Sequence, residues 1–199
     1  MSRVILELSV SLDGYAAGSN ASPENPMGDN GERLHDWMFV DATETGRLIR
    51  AEMFGGAGAV IVGKRMFDLG KPYWDPDPET FHRLPVFVVT HRPAEPIVDP
   101  GGSTFTFISE GIARALGAAR EAADDGDVVV LGGPTVGGQF LSAGLIGELR
   151  LHLVHIILGT GTPLFDPQRG RFQRLEATRT VDDAGVTHLS LMPSHDKSR

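Results

Sequence analysis

The run Val128-Val129-Val130-Leu131, closed by Gly132-Gly133 and followed by Pro134, constrains this chain more than any other stretch. A short, mostly β-branched apolar run is the pattern of a strand buried on both faces. Pro134 suits the first position of a helix, because its missing N–H is one that a helix start leaves unpaired anyway. Strand, tight glycine turn and helix in that order define a βα unit, the building block of a parallel sheet. Two glycines at such a turn also leave main chain bare, and the positive end of the helix then suits an anion such as a pyrophosphate. Gly137 and Gly138 are poor helix formers, so close approach by another group explains them better than propensity. The alternative is an ordinary tight turn packed on a neighbouring strand. The segment is neither a Walker A loop, since no Gly-Lys-Ser/Thr follows, nor a complete G-x-G-x-x-G fingerprint.

The same alternation extends along most of the chain. Val4, Leu6, Leu8 and Val10 alternate with Arg3, Ile5, Glu7 and Ser9 and predict a first strand, which leaves through a turn at Ser11–Gly18. Residues 19–36, rich in Asn, Pro, Gly and charge, predict a long exposed loop with a functional or mobile role. Thr43 to Phe54 predicts a helix, then strands follow at Gly58–Gly63, Pro85–Val89 and Thr104–Ile108, and a further helix at Gly111–Ala123. Leu141 and Leu145 share a helical face that Gly144 ends. Beyond Leu149 the pattern changes to strands alone, at Leu149–Ile157, Phe172–Val181 and Val186–Met192, with a hairpin turn at Asp182–Gly185. The expected architecture is an α/β fold: a twisted, mostly parallel sheet with helices on both faces and an antiparallel C-terminal edge. A single domain over residues 1–199 is expected, with its core at about 3–192 and a frayed tail from Pro193.

Composition narrows the function classes. A formal net charge of -8 without a Lys/Arg cluster argues against a nucleic-acid partner. The absence of cysteine excludes disulfides, thiol nucleophiles and Cys-ligated zinc, and fits a cytoplasmic location. No apolar stretch suits a signal peptide or a membrane span. His152 and His155, three apart on a strand, point to opposite faces and cannot form a two-His metal pair, so no metal site is expected. No Gly-x-Ser-x-Gly elbow supports a hydrolase.

Three strand ends carry ligand chemistry. Gly63-Lys64-Arg65 sets a glycine and two cations at a helix start; Thr90-His91-Arg92 sets a hydroxyl and a guanidinium at another strand's carboxyl end; Gly132-Gly133 is the third. Ligands of open α/β sheets bind outside the carboxyl ends of the strands. Two cationic turns beside a glycine cradle favour a dinucleotide with a 2′-phosphate, NADPH over NADH, because arginine forks onto phosphate.

Those turns, together with Ser11-Leu12-Asp13-Gly14-Tyr15-Ala16-Ala17-Gly18 near the start and Ile157-Leu158-Gly159-Thr160-Gly161-Thr162-Pro163-Leu164-Phe165 near the end, form an ordered set. In that order they resemble the dihydrofolate-reductase-like family related to the reductase domain of the bifunctional riboflavin-biosynthesis deaminase/reductase. The resemblance implies a mixed sheet, NADPH as hydride donor and a homodimer. It further implies phosphate contacts at Gly63, Lys64 and Arg65, a 2′-phosphate side at Thr90, His91 and Arg92, and pyrophosphate contacts at Gly132, Gly133, Thr135, Val136 and Gly137. Met66 stands where the family commonly has Thr, which removes a hydroxyl from the first turn. The zinc deaminase half of the fused enzymes has no counterpart here.

Asp13 is the carboxylate of the first strand's exit loop. It could orient or protonate the reacting end, or brace its own Asp-Gly turn. Trp37, Phe67, Tyr73 and Trp74 are candidate walls for a flat substrate, with Trp37 and Trp74 the better pocket rim and Phe39 and Phe67 suited to core packing. His35 and Asp36 are expected to be solvated. The expectation is an NADPH-dependent reductase acting on a small planar heterocycle, pterin- or aminopyrimidine-like. The alternatives are a nucleotide-binding protein without turnover and the riboflavin-pathway ribosylaminopyrimidine reductase, whose substrate phosphate lacks an evident second site.

Overall fold

A computed structural model describes residues 2–74, 80, 81, 83–165 and 173–194. The strand β1 (Val4–Ser11) is followed by the short β2 (Tyr15–Ala17), a 3-10 turn at Gly31–His35, and the helices α1 (Asp36–Phe39) and α2 (Glu44–Phe54). Three strand–helix pairs come next: β3 (Ala57–Gly63) with α3 (Lys64–Trp74), then β4 (Val86–Val89), β5 (Ile97–Val98) and β6 (Thr104–Ile108) with α4 (Ile112–Ala123), then β7 (Asp127–Leu131) with α5 (Pro134–Ser142). The chain closes with β8 (Glu148–Val154), β9 (Thr162–Pro163), β10 (Leu175–Asp183) and β11 (Val186–Pro193). Phe172, the expected start of β10, and residues 195–199 of the expected frayed tail lie outside the described residues.

Among the described residues, nine strands form one sheet in the order β10-β11-β8-β1-β7-β3-β4-β6-β5. The six from β8 to β6 run parallel, and antiparallel pairing is confined to the edges, where β10 and β11 extend one side and β5 the other. This is the expected fold. Alternate residues of the central strands feed two cores. Leu6, Leu8, Ile61 and Val130 pack with Leu116 of α4 and with Val136 and Phe140 of α5. Val60, Val62, Val129 and Leu131 face the other way and pack with Phe67 of α3.

Local chemistry sets the helix ends. The Thr43 hydroxyl caps α2 by accepting from the Gly46 N–H at 2.9 Å. Pro134 opens α5, and Gly144, at φ 66°, follows its C-cap.

Two expectations are corrected. All eight residues of β1 are buried, so its polar positions Glu7, Ser9 and Ser11 do not face water. The strand is central, and α2 with Trp37 closes over that face. The long exposed loop holds the 3-10 turn, and Leu34 within it is fully buried beside Trp37 and Ile49.

Candidate active site

β7, β3 and β4 are consecutive in the sheet and parallel, with Gly63 of β3 in register with Val89 of β4. Their carboxyl ends therefore set the three candidate turns side by side, across about 10 Å at ordinary strand spacing. Gly132 and Gly133 have φ of 30° and 71°, a region that disfavours side chains. A Cβ at Gly133 would meet no atom within 4 Å, so the main chain there lines open space. Pro134 carries no N–H, and the Gly137 N–H already donates to the Gly133 carbonyl at 3.0 Å. The first-turn N–H groups of Thr135 and Val136 remain for an anion. The donors and the bare cradle fit a pyrophosphate.

The neighbouring residues divide into exposed side chains and those bonded or packed within the fold. Arg65, His91 and Arg92 are exposed at their turns. Lys64 Nζ donates to Asp68 Oδ1 at 2.5 Å, so its charge is partly satisfied within α3. The Thr90 hydroxyl is buried and accepts from the Arg92 N–H at 3.2 Å, which shapes the turn. Gly63 is there for packing: a Cβ would come within 2.9 Å of Val136 Cγ2. Gly137 is likewise a packing glycine, since its Cβ would lie 2.9 Å from Leu6 Cδ1. With its N–H used by the helix, Gly137 is withdrawn from the cofactor contacts. Met66 turns into the second core.

Asp13 sits beyond the end of β1 and ties two loops together. Its Oδ1 accepts from the Ser11 hydroxyl at 2.6 Å and from the Leu158 N–H at 3.1 Å, and its Oδ2 from the Gly159 N–H at 2.7 Å. The Ser11 hydroxyl bond, reinforced by the Gly159 and Leu158 amides, holds this carboxyl below its ordinary range. The clasp continues through Leu12 N–H to the Ile156 carbonyl at 2.8 Å and through pairing of β2 with β9. Leu12 and Ile157, next to Asp13 and Leu158 in the two clasped loops, are exposed. Sequence inspection missed this clasp; the glycines of 157–165 were its one visible trace.

The four aromatic candidates do not form one wall. Trp37 is 3% exposed and belongs to the core over β1, which overturns its place on a pocket rim. Phe67 packs edge-on against Phe105 and Phe107, as a core residue. Trp74 packs edge-on against Phe81 at 4.9 Å, half-buried at the second core. Tyr73 is exposed and donates its hydroxyl to the Pro23 carbonyl at 3.3 Å. Phe39, suited by sequence to the core, is exposed beneath the Arg50 guanidinium. His35 is half-buried and not fully solvated, and burial, with His152 second, pushes its imidazole down to about 4. Asp36 is half-buried and pairs with Arg33 at 3.1 Å.

The profile of the family described as the RibD C-terminal domain matches residues 2–189. The chain belongs to that family. Protein YyaP of Bacillus subtilis (strain 168), itself uncharacterized, is 26% identical over 197 residues, covering 94% of this chain and 93% of YyaP. Among solved structures, a protein of Shewanella sp. PV-4 named as a candidate riboflavin-biosynthesis protein superposes with a TM-score of 0.70 at 18% identity, over 98% of this chain and 100% of that one. The Thermotoga maritima diaminohydroxyphosphoribosylaminopyrimidine deaminase/5-amino-6-(5-phosphoribosylamino)uracil reductase gives a TM-score of 0.63 at 16% identity, and it is matched over 97% of this chain and 57% of its own. The chain thus spans little more than half of that bifunctional protein, and the likeness is one of fold. Among the described residues, no helix is long and apolar enough to cross a membrane, and no group of three or more His, Asp or Glu could hold a metal ion.

Proposed function

We propose that this chain is a nicotinamide-dependent reductase that prefers NADPH and acts on a C=N or C=O bond of a small planar heterocycle, pterin- or aminopyrimidine-like. The observation that carries the reading is the alignment of three anion-suited turns on consecutive parallel strands in a member of a reductase-domain family. When bound, the nicotinamide supplies the hydride, and the protein supplies position. Gly133 and the amides of Thr135 and Val136 hold the pyrophosphate. Arg92 forks onto the 2′-phosphate and Arg65 serves the neighbouring phosphate, because guanidinium geometry matches both.

At the reacting end, Asp13 acts as a positioning residue. Its carboxylate accepts three hydrogen bonds and keeps the two loops in register, so Leu12 and Ile157 offer apolar faces at a fixed separation to a flat ring. The homodimer that the family resemblance implies belongs to the same reading, and light scattering tests it.

The engagement of Asp13 within its clasp also favours a second reading, a nucleotide-binding protein without turnover. Purified protein mixed with NADPH and a panel of pterins, folates, pyrimidines and quinones separates the two. Oxidation of NADPH with at least one of them is expected. NADPH binding with no oxidation by any panel member assigns the second reading.

A further inference from the structure

On the face of the sheet away from α4 and α5, three ionisable side chains form a continuous buried chain. Glu7 Oε1 lies 2.6 Å from His152 Nε2, and His152 Nδ1 lies 2.7 Å from His188 Nδ1. Two facing ring nitrogens share one proton, so at least one ring is neutral. Both short contacts are hydrogen bonds when His152 donates through Nε2 to the carboxylate and accepts at Nδ1 from His188, while Glu7 Oε2 is left without a hydrogen-bond partner among the described residues. His188 Nε2 is then a bare lone pair, buried without a hydrogen-bond partner among the described residues. A proton added there meets no acceptor, and an unpaired buried charge is costly.

The 31–39 segment is seated on these rings. The Trp37 indole packs at 4.6 Å from His152 and 4.8 Å from His188, and its Nε1–H donates to Ser9 Oγ at 3.2 Å. His35, two residues earlier, brings a third imidazole into the field of His152. The charged groups around the cluster come from every neighbouring element. Arg150 of β8 stands 3.6 Å from Glu7 Oε2, and with Arg3, Glu148, Glu52 of α2 and Arg179 of β10 it lines an adjoining cavity of about 270 Å³. Asp36 favours a charge on His35, while Asp183 favours and Arg179 opposes one on His188. Burial outweighs the two carboxylates. His35 and His188 are both pushed down to about 4, by burial first and by His152 second.

We propose that the Glu7–His152–His188 chain and His35 form a proton-operated latch, in which neutral rings seat the 31–39 segment and acid releases it before the sheet unfolds. His35 and His188 titrate near 4 when seated and near the ordinary 6.5 when released. The released form therefore binds more protons between those values, and seating weakens as pH falls through that window, by up to ~10²-fold per ring. Release reaches the candidate active site through the backbone. A Cβ on Gly31 would lie 2.8 Å from the Gly18 nitrogen, and the Gly18 N–H donates to the Met27 carbonyl at 2.8 Å, directly after β2. Loosening that contact frees the loop that Asp13 clasps.

The test is an acid titration of the full chain carrying Trp74→Phe, which leaves Trp37 as the single tryptophan, one of two in the sequence. Trp37 emission should shift to the red at a higher pH than the loss of far-UV circular dichroism. With His35→Gln and His188→Gln added, that separate step should vanish or move by a pH unit or more. Ring NMR of the unsubstituted protein provides an independent reading: two of its seven histidines should titrate well below the ordinary value. The latch is overturned if emission and dichroism change together, if the step persists unmoved in the Gln variant, or if all the imidazoles titrate near 6.5. Should the Gln variant fail to fold, the NMR titration decides.

Discussion

β1 is built on a principle opposite to that of the strand ends beside it in the sheet. Around its buried middle, Glu7 and His152 satisfy one another, and His188 and Trp37 close over them. At the carboxyl ends of β7, β3 and β4, bare glycine main chain and exposed Arg65 and Arg92 face open space. Apart from Glu7 Oε2 and His188 Nε2, the buried polar groups of the first region have partners within the chain and contribute to folding. Those in the second are left for something the chain itself does not provide. Removing a polar side chain should therefore cost stability in the first region and ligand binding in the second.

The largest effect is expected from Glu7→Ala. It strands the His152 donor and takes a carboxylate from beside Arg150, and leaving a buried group unpaired costs about 1–3 kcal/mol, more where a charge is involved. Urea unfolding should show that loss, and a cost near zero would mean that water reaches the site and erases the contrast. Gly133→Val should leave the sheet folded but remove NADPH-dependent stabilisation, about 2.7 kcal/mol at a hundredfold excess over Kd. A branched side chain at φ 71° is strained and covers the cradle. Thermal midpoints with and without NADPH measure it, and a retained ligand shift would reduce the glycine pair to a packing turn.

Asp13→Asn should have the smallest effect. The amide keeps one acceptor for Ser11 or Leu158 but sets an NH₂ against the Gly159 N–H, so the thermal midpoint should fall. Turnover on any substrate found should drop only a few-fold. A loss of ~10²-fold with an unchanged midpoint would mark Asp13 as a proton relay instead.

The contrast also decides what could be seen in the sequence. The strands β3, β4 and β7 are legible because burial on both faces leaves unbroken apolar runs, and their turns are legible because glycine, proline and arginine act locally. The clasp and the buried chain are not, because their partners are 145 residues apart along the chain. Glu7 looked like the outward position of an alternating strand, and only the closure of α2 and Trp37 over that face makes it internal. Trp37 was misplaced for a related reason. The polar composition of residues 19–36 concealed a 3-10 turn whose Leu34 falls three residues before Trp37 of α1, and both join one core. Gly137 was half-legible: its need for close approach was evident, but the approaching group is Leu6 and not a ligand.

The central claim is that the strand-end turns bind a dinucleotide carrying a 2′-phosphate. Fluorescence titration of NADPH and NADH against the wild-type chain and Arg92→Ala tests it most directly. Losing one charge-assisted phosphate contact costs about 1.5–3 kcal/mol. NADPH should therefore bind the wild type more tightly than NADH, and Arg92→Ala should weaken NADPH ~10-fold or more while leaving NADH almost unchanged. Equal losses for both cofactors, or binding of neither by the wild type, would contradict the account.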